Sequence, residues 1–268
     1  MRACLPLLVG GLLFPLAASA QPAPEQRAGY EIYAAGVPVA VLKTGFALGP
    51  SDYRIDLSFH TTGLVGWLYG GRQQSNVEGE WRGDRPAPRR FAGEGMWGGR
   101  ARQTLIDYIA GQPLVRSLLP PNDEEREPVP AALQANSMDA LSAIAMLIRR
   151  VARTNRCEGQ ATTFDGRRAM DLVARTVGEE VLPPSTRSVF TGRALRCDFE
   201  GRLLAGFLRD ADQPELRRPR HGSAWLAQIT PGVPPIPVRI EFETRWFGIA
   251  TMYLTEAGSG PVRGASAR

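Results

Sequence analysis

Lysine is almost missing from this chain: Lys43 stands alone, and arginine supplies the rest of the 32 basic residues. The net charge is +5, but the arginines are dispersed. A surface that grips nucleic acid clusters its basic residues among aromatics, so no nucleic-acid partner is expected. Arg217, Arg218 and Arg220 do cluster, in a proline-flanked stretch that reads as a solvated loop. That charge is compatible with weak attraction to anionic headgroups. Histidine is scarcer still, at two. His60 ends an alternating segment on its polar face and His221 falls in a proline-rich stretch, so no metal centre is expected. There is no His-Glu-x-x-His, no Gly-x-Ser-x-Gly, no Ser-x-x-Lys and no glycine-rich phosphate loop before a helix. The reading is therefore of a non-enzyme, with no catalytic residue and no cofactor nominated. Beyond the first twenty residues no run of eighteen apolar residues occurs, so a membrane-spanning helix is not expected.

What is present begins at the N-terminus. Arg2 precedes an apolar stretch over residues 5–16, and Ala18-Ser19-Ala20 supplies small residues where a signal peptidase cleaves. Residues 1–20 are read as a secretory signal peptide, which places the mature chain in the periplasm. Gly10, Gly11 and Pro15 disfavour a buried helix in its place. Removal of the signal takes Cys4 with it and leaves Cys157 and Cys197 in an oxidising compartment, where a structural disulfide is the default. A redox-active pair, the alternative, prefers Cys-x-x-Cys spacing.

Most of the chain reads as strand. Tyr30 and Ile32 open a first strand, and residues 37–48 give a second. In the third, Tyr53, Ile55, Leu57 and Phe59 alternate with Arg54, Asp56, Ser58 and His60, the mark of a half-buried antiparallel strand. Residues 63–71 suggest a turn of helix. Residues 76–81, 88–97 and 102–110 follow as strands, with turns at Gly83-Asp84 and Gly98-Gly99. Gly79, Gly93 and Gly95 lie inside them and suggest bulges or sharp bends that curl a wide sheet. Residues 120–125 read as a polar loop. A helix is expected over 137–154, capped by Asn136 or Ser137, with Arg149, Arg150 and Arg153 in its last turn. Leu141, Ile144, Ala145, Ile148 and Val151 form its apolar stripe. Asp165-Gly166 reads as a type I′ hairpin turn. Residues 194–207, 238–246 and 249–255 return to strand, and 258–268 read as a disordered tail. The fold class is mainly β with one long helix, over a single domain spanning 21–257. Its core is a large curved antiparallel sheet or incomplete β barrel packed on that helix.

Two clusters invite a functional reading. Asp165, Arg167, Arg168 and Asp171 could hold an anion, although a turn-forming aspartate with arginines on the wet side of a hairpin explains them as well. Glu241 and Glu243 share a strand face without a partner to make an acid–base pair. The aromatics Trp67, Tyr69, Trp81, Phe91, Trp97, Trp225 and Trp246 either fill the core or line an apolar pocket under the helix. The candidate ligand pocket comprises Leu141, Ile144, Ile148 and Val151 of the helix with Trp67, Trp97 and Trp246 of the sheet.

The order of these signals resembles a known family. Tyr30-Glu31-Ile32-Tyr33-x-x-Gly36 is followed by the helix, by Cys157, by Phe164-Asp165-Gly166-Arg167-Arg168-x-x-Asp171-Leu172 and by Cys197. Ala224-Trp225-Leu226, Pro237-x-Arg239-Ile240 and Phe247-Gly248 complete it. The chain is similar in this to the proteobacterial domain of unknown function 3108. The resemblance implies a periplasmic location and no established activity or catalytic residues. It also implies a curved sheet like that of lipoprotein carriers, in which an incomplete barrel shelters acyl chains. The leading expectation is a protein that binds or shuttles a lipid or acyl chain of the cell envelope. A module docking on another envelope protein through a sheet edge and a hydrolase with scattered residues are the alternatives.

Overall fold

The computed structural model describes residues 25–244 and 248–259. Among these, thirteen strands follow one another: β1 (Glu25–Ala34), β2 (Val37–Leu48), β3 (Asp52–Thr61), β4 (Gly71–Arg82), β5 (Arg85–Trp97), β6 (Arg100–Ile109), β7 (Gln112–Leu119), β8 (Gly159–Phe164), β9 (Ala169–Leu182), β10 (Gly192–Ala205), β11 (Arg220–Ala227), β12 (Ile236–Glu243) and β13 (Ile249–Ser259). Four α-helices of the described residues, α1 (Gly63–Tyr69), α2 (Ala131–Gln134), α3 (Ala140–Thr154) and α4 (Gln213–Arg217), and one 3-10 turn at Asn122–Glu124 interrupt them. All thirteen strands join one sheet in the order β7-β6-β5-β4-β3-β2-β1-β13-β12-β11-β10-β9-β8. Every pairing is antiparallel.

The sheet is a pair of meanders joined through β1 and β13, and it curls until its two edges approach. Register shifts at Gly29/Tyr30, Glu78/Gly79, Arg196/Cys197 and Trp225/Leu226 assist the bending. Gly79 lies at one of them, and a side chain there would collide with the Tyr53 ring laid across it. Gly93 and Gly95 form no bulge: they pair in unbroken register with Ser75 and Gln73. No ladder connects β7 to β8. The seam is closed by side chains and connecting segments instead. Arg167 Nη2 donates to the Leu119 carbonyl at 2.6 Å, and Arg126 Nη1 donates to the Gly206 carbonyl at 2.7 Å. Glu127 N–H bonds the Phe207 carbonyl and Arg209 N–H bonds the Glu125 carbonyl.

The concave face holds the core. Tyr30, Ile55, Val77, Ile106, Ile236, Val238 and Leu254 are fully buried on it, each large apolar side chain contributing about 1.5–3 kcal/mol. Helix α3 lies against this face, touching β3, β4, β5 and β8. It starts at Ala140, three residues later than the capping signals at Asn136 and Ser137 suggest, because Met138 is used elsewhere. Met138 pairs in parallel with Thr163 and covers part of the free edge of β8. Asp139 is therefore the N-cap, and it accepts from Ser142 N–H at 2.9 Å and Ser142 Oγ at 2.5 Å. Tyr53 Oη lies 2.8 Å from the same Ser142 Oγ, which ties the helix start to β3.

Burial raises the Asp139 carboxyl above the usual carboxylate range, against the hydrogen bonds from Ser142. An acid raised in this way favours folding most below its unfolded pKa of about 3.9 and loses that contribution as pH climbs to the folded value. Asp139→Asn keeps the acceptor without the buried charge, so it should match or exceed wild-type stability in urea unfolding at pH 7. Asp139→Ala should lose about 2 kcal/mol or more, from the missing cap and the unpartnered Ser142. Equal losses in both variants would contradict this assignment.

Other boundaries differ for local reasons. β7 carries Pro113 near its start, which argues against a strand except at an edge, and an edge is where β7 lies. Pro214 starts α4 rather than breaking a strand. Arg217 and Arg218 lie at its end, while Arg220 opens β11 and pairs with Glu215 at 2.6 Å. Gly258 and Ser259, expected in the tail, complete β13 opposite Arg27 and Gln26. Residues 1–20 of the expected signal peptide and 260–268 of the tail lie outside the described residues.

Candidate functional site

About two turns of α3 face the second meander across a gap. Ala143, Ile144, Leu147 and Ile148 form one side of it. Leu172 and Ala174 of β9, Phe199 of β10, Ala224 and Leu226 of β11, and Pro237 and Ile240 of β12 form the other. The groove encloses about 280 Å³ and its lining is almost wholly apolar. Alternation explains much of the sheet side: Leu172 and Ala174, and Ala224 and Leu226, are spaced by two residues on the concave face, while the register shift at Trp225/Leu226 sets Pro237 opposite Leu226 and Ile240 opposite Ala224. Cys157, which leaves the end of α3, joins Cys197 of β10 in a disulfide with Cα atoms 5.8 Å apart, and Cys157 lies at the floor. The bond thus fixes the helix end to the sheet that it faces across the groove.

Polar groups stand only at the rim. Arg150 donates to the Glu158 carbonyl, leaving the rest of its guanidinium beside the opening. Glu158 is engaged by Arg156, at 2.9 and 3.1 Å. That pairing, with help from Thr176, lowers its carboxyl to about 2.

The structure brings together part of the expected pocket. Ile144 and Ile148 line the groove; Ile144 is 37% exposed, and Ile148 is fully buried. Leu141 is buried in the main core and Val151 borders a separate depression near β10 and β11. Of the tryptophans assigned to the pocket, neither Trp67 nor Trp97 reaches it. Trp67 is 80% exposed on α1, because that short helix turns its apolar face outward. Trp97 stacks on Phe59 with centroids 5.6 Å apart and donates to Gln73 at 3.3 Å. Trp246 lies outside the described residues. Trp225 is on the convex face, between Arg196 and Arg239 at 5.3 and 5.0 Å, with its indole N–H on Glu180. The groove's aromatic is Phe199, and Leu147 is its unforeseen helix residue; the spacing from Ile144 to Leu147 to Ile148 carries the signal for the latter.

The hairpin cluster divides. Asp165 Oδ1 accepts from Arg167 N–H and Arg168 N–H, and its other oxygen accepts from the Arg168 guanidinium. Only Gly166 of this loop has positive φ, at 86°, so the turn is not type I′, which requires two such residues. Arg167 is on no wet side; it is buried at the seam, with 8% exposed. Asp171 accepts from Gln160. His221 belongs to β11 rather than to a loop and stands 3.5 and 3.6 Å from Glu200 and Glu243. Among the described residues no group of three or more histidine, cysteine or acidic side chains is arranged to hold a metal ion. No described helix is long and apolar enough to cross a membrane.

Residues 29–255 match the family described as "Protein of unknown function (DUF3108)", and the chain belongs to that family. A solved structure of similar fold is a beta-barrel-like protein of domain of unknown function DUF1849 from Brucella abortus. It shares 10% identity at a TM-score of 0.52, over 90% of this chain and 100% of that one. At that identity the likeness speaks for the fold. No curated protein matches the chain in sequence.

Proposed function

We propose that this family member is a non-enzymatic periplasmic protein, exported by its N-terminal signal, that holds an acyl chain or similar lipid segment in the groove between α3 and β9–β12. One observation carries the reading: an open gap between helix and sheet is lined by apolar side chains on both sides. Apolar surface left facing water is unfavourable, and a folded chain without a ligand for it would gain by closing the gap. Its volume of 280 Å³ is near the lower end of the roughly 300–1,000 Å³ of small-molecule pockets, enough for a segment of one chain rather than a whole lipid. Arg150 at the rim suits the anionic end of an amphiphile.

A fluorescent fatty-acid probe should bind saturably, with one site per chain, and be displaced by unlabelled fatty acid. Ile144 is already partly exposed, so Ile144→Glu should leave the thermal midpoint in place while it weakens the probe at least about tenfold, or 1.4 kcal/mol. Ala174→Leu, which fills the groove without charge, should do the same. Absence of saturable binding to the folded protein, or full binding by both variants, would refute the reading. Docking through a sheet edge comes second. Among the described residues the outer edge of β7 has no strand beside it, and it exposes Leu114, but Pro113 and the Arg167 bond to the Leu119 carbonyl already blunt it.

A further inference from the structure

We propose that the end of the sheet carrying α1 docks on an anionic lipid surface, inserting Trp67 and its apolar neighbours at the headgroup level. Leu64, Trp67 and Leu68 recur at i, i+3 and i+4 and so share one face of α1. They are 70, 80 and 54% exposed. Scattered apolar side chains on a surface are ordinary; several large ones side by side mark an interaction site.

The neighbouring turns make the patch continuous. Thr62 N–H bonds the Val39 carbonyl at 2.8 Å, which sets α1 beside the β1–β2 turn and the exposed Val37. Gly98 N–H bonds the Gly70 carbonyl at 3.3 Å, which sets the β5–β6 turn on its other side. The helix is held rather than loose. Gly71 N–H donates to Thr61 Oγ1 at 2.8 Å, and a Cβ on Gly66 would come within 2.9 Å of the Thr61 carbonyl. That close seat directs the glycine side of α1 at the strand end and leaves the leucine and tryptophan side outward.

Charge selects a lipid over a protein core as the occupant. The stretches that flank α1 at this end, 32–42, 57–77 and 95–106, contain no aspartate or glutamate, and the acidic Glu243 stands two strands beyond β1. Arg72 and Arg100 are exposed beside the patch, and neither joins an ion pair among the described residues. A tryptophan with flanking leucines and uncompensated arginines is the composition that settles in a membrane interface, the indole at headgroup depth and the cations on anionic phosphates. This inference does not depend on the groove, which is built from α3 and β9–β12.

Mature protein should cosediment with vesicles of phosphatidylglycerol and phosphatidylethanolamine, less with phosphatidylcholine alone, and less as salt rises. Trp67→Ala with Leu68→Ser should cut the partition at least tenfold without moving the thermal midpoint, since both side chains are mostly in water. Arg72→Glu with Arg100→Glu should weaken anionic vesicles alone. Ile144→Glu should bind vesicles like wild type, which separates this proposal from the fate of the groove. The proposal fails if wild type ignores anionic vesicles or if the double variant binds as well. It fails equally if sedimentation velocity finds a dimer that Trp67→Ala dissolves, because the patch would then belong to a second copy.

Discussion

Gly206→Ala should remove at least about 3 kcal/mol of folding stability, far more than its single methyl suggests. Gly206 sits at φ 81°, where an L side chain is strained by about 1–2 kcal/mol. Steric contact costs more than that strain: a Cβ there would stand 2.0 Å from the Arg167 carbonyl oxygen and 2.8 Å from Arg168 Cα. Backbone cannot swing aside as a side chain does. What must shift is the hairpin that closes the seam, together with the bonds of Arg126 to the Gly206 carbonyl and of Glu127 to Phe207. Gly83→Ala provides the control, because Gly83 has φ 65° with nothing within 4 Å, and it should cost only about 1–2 kcal/mol. Urea unfolding of the two variants side by side isolates the close approach. Equal losses would mean that the seam is not tightly packed at Gly206.

Breaking the disulfide should cost about 4 kcal/mol. Closing a loop with a sequence separation of 40 restricts the unfolded chain by roughly that amount in the loop-entropy description. Both sulfurs are buried, and Cys157 N–H is held by Thr176 Oγ1 at 2.8 Å, so Cys157→Ser would place a hydroxyl in a site built for sulfur. Because Cys157 floors the groove, the variant should also bind the fatty-acid probe less tightly, whereas Gly83→Ala should not. Non-reducing peptide mapping should find the two cysteine peptides joined. Free thiols in protein isolated under non-reducing conditions, or a stability change below about 1 kcal/mol, would contradict the assignment.

The strands were legible where one face is wet. Tyr53, Ile55, Leu57 and Phe59 declare β3 because their intervening partners are polar, and β2 is legible to its ends at Val37 and Leu48. β7 was hidden by Pro113, whose missing N–H is harmless only at an edge, and nothing local states that a strand is an edge. Sidedness was harder than existence. Trp225 looks like core in sequence, yet alternation between the inward Ala224 and Leu226 turns it to the convex face under two arginines. Trp67 carries an apolar signal that no core absorbs. On the helix side of the groove Ile144 and Ile148 belong to the 3.6-residue stripe, whereas Leu141 and Val151 of that stripe pack elsewhere and Leu147 was not foreseen. The sheet half was not legible, because Phe199, Ala224 and Ile240 come from three strands whose alignment exists only after folding. Arg167 illustrates the same limit: an arginine next to a turn reads as solvated, and only the meeting of distant sheet edges buries it.

If the groove under α3 is occupied in the cell, its occupant should copurify with the protein. Native mass spectrometry of the protein, purified gently from the cells that make it, tests this directly. The expected spectrum shows a mass above the polypeptide that dissociates as a lipid or fatty acid on activation, and that is absent from Ala174→Leu purified in parallel. A bare polypeptide mass for wild type, or the same adduct retained in full by Ala174→Leu, would contradict it.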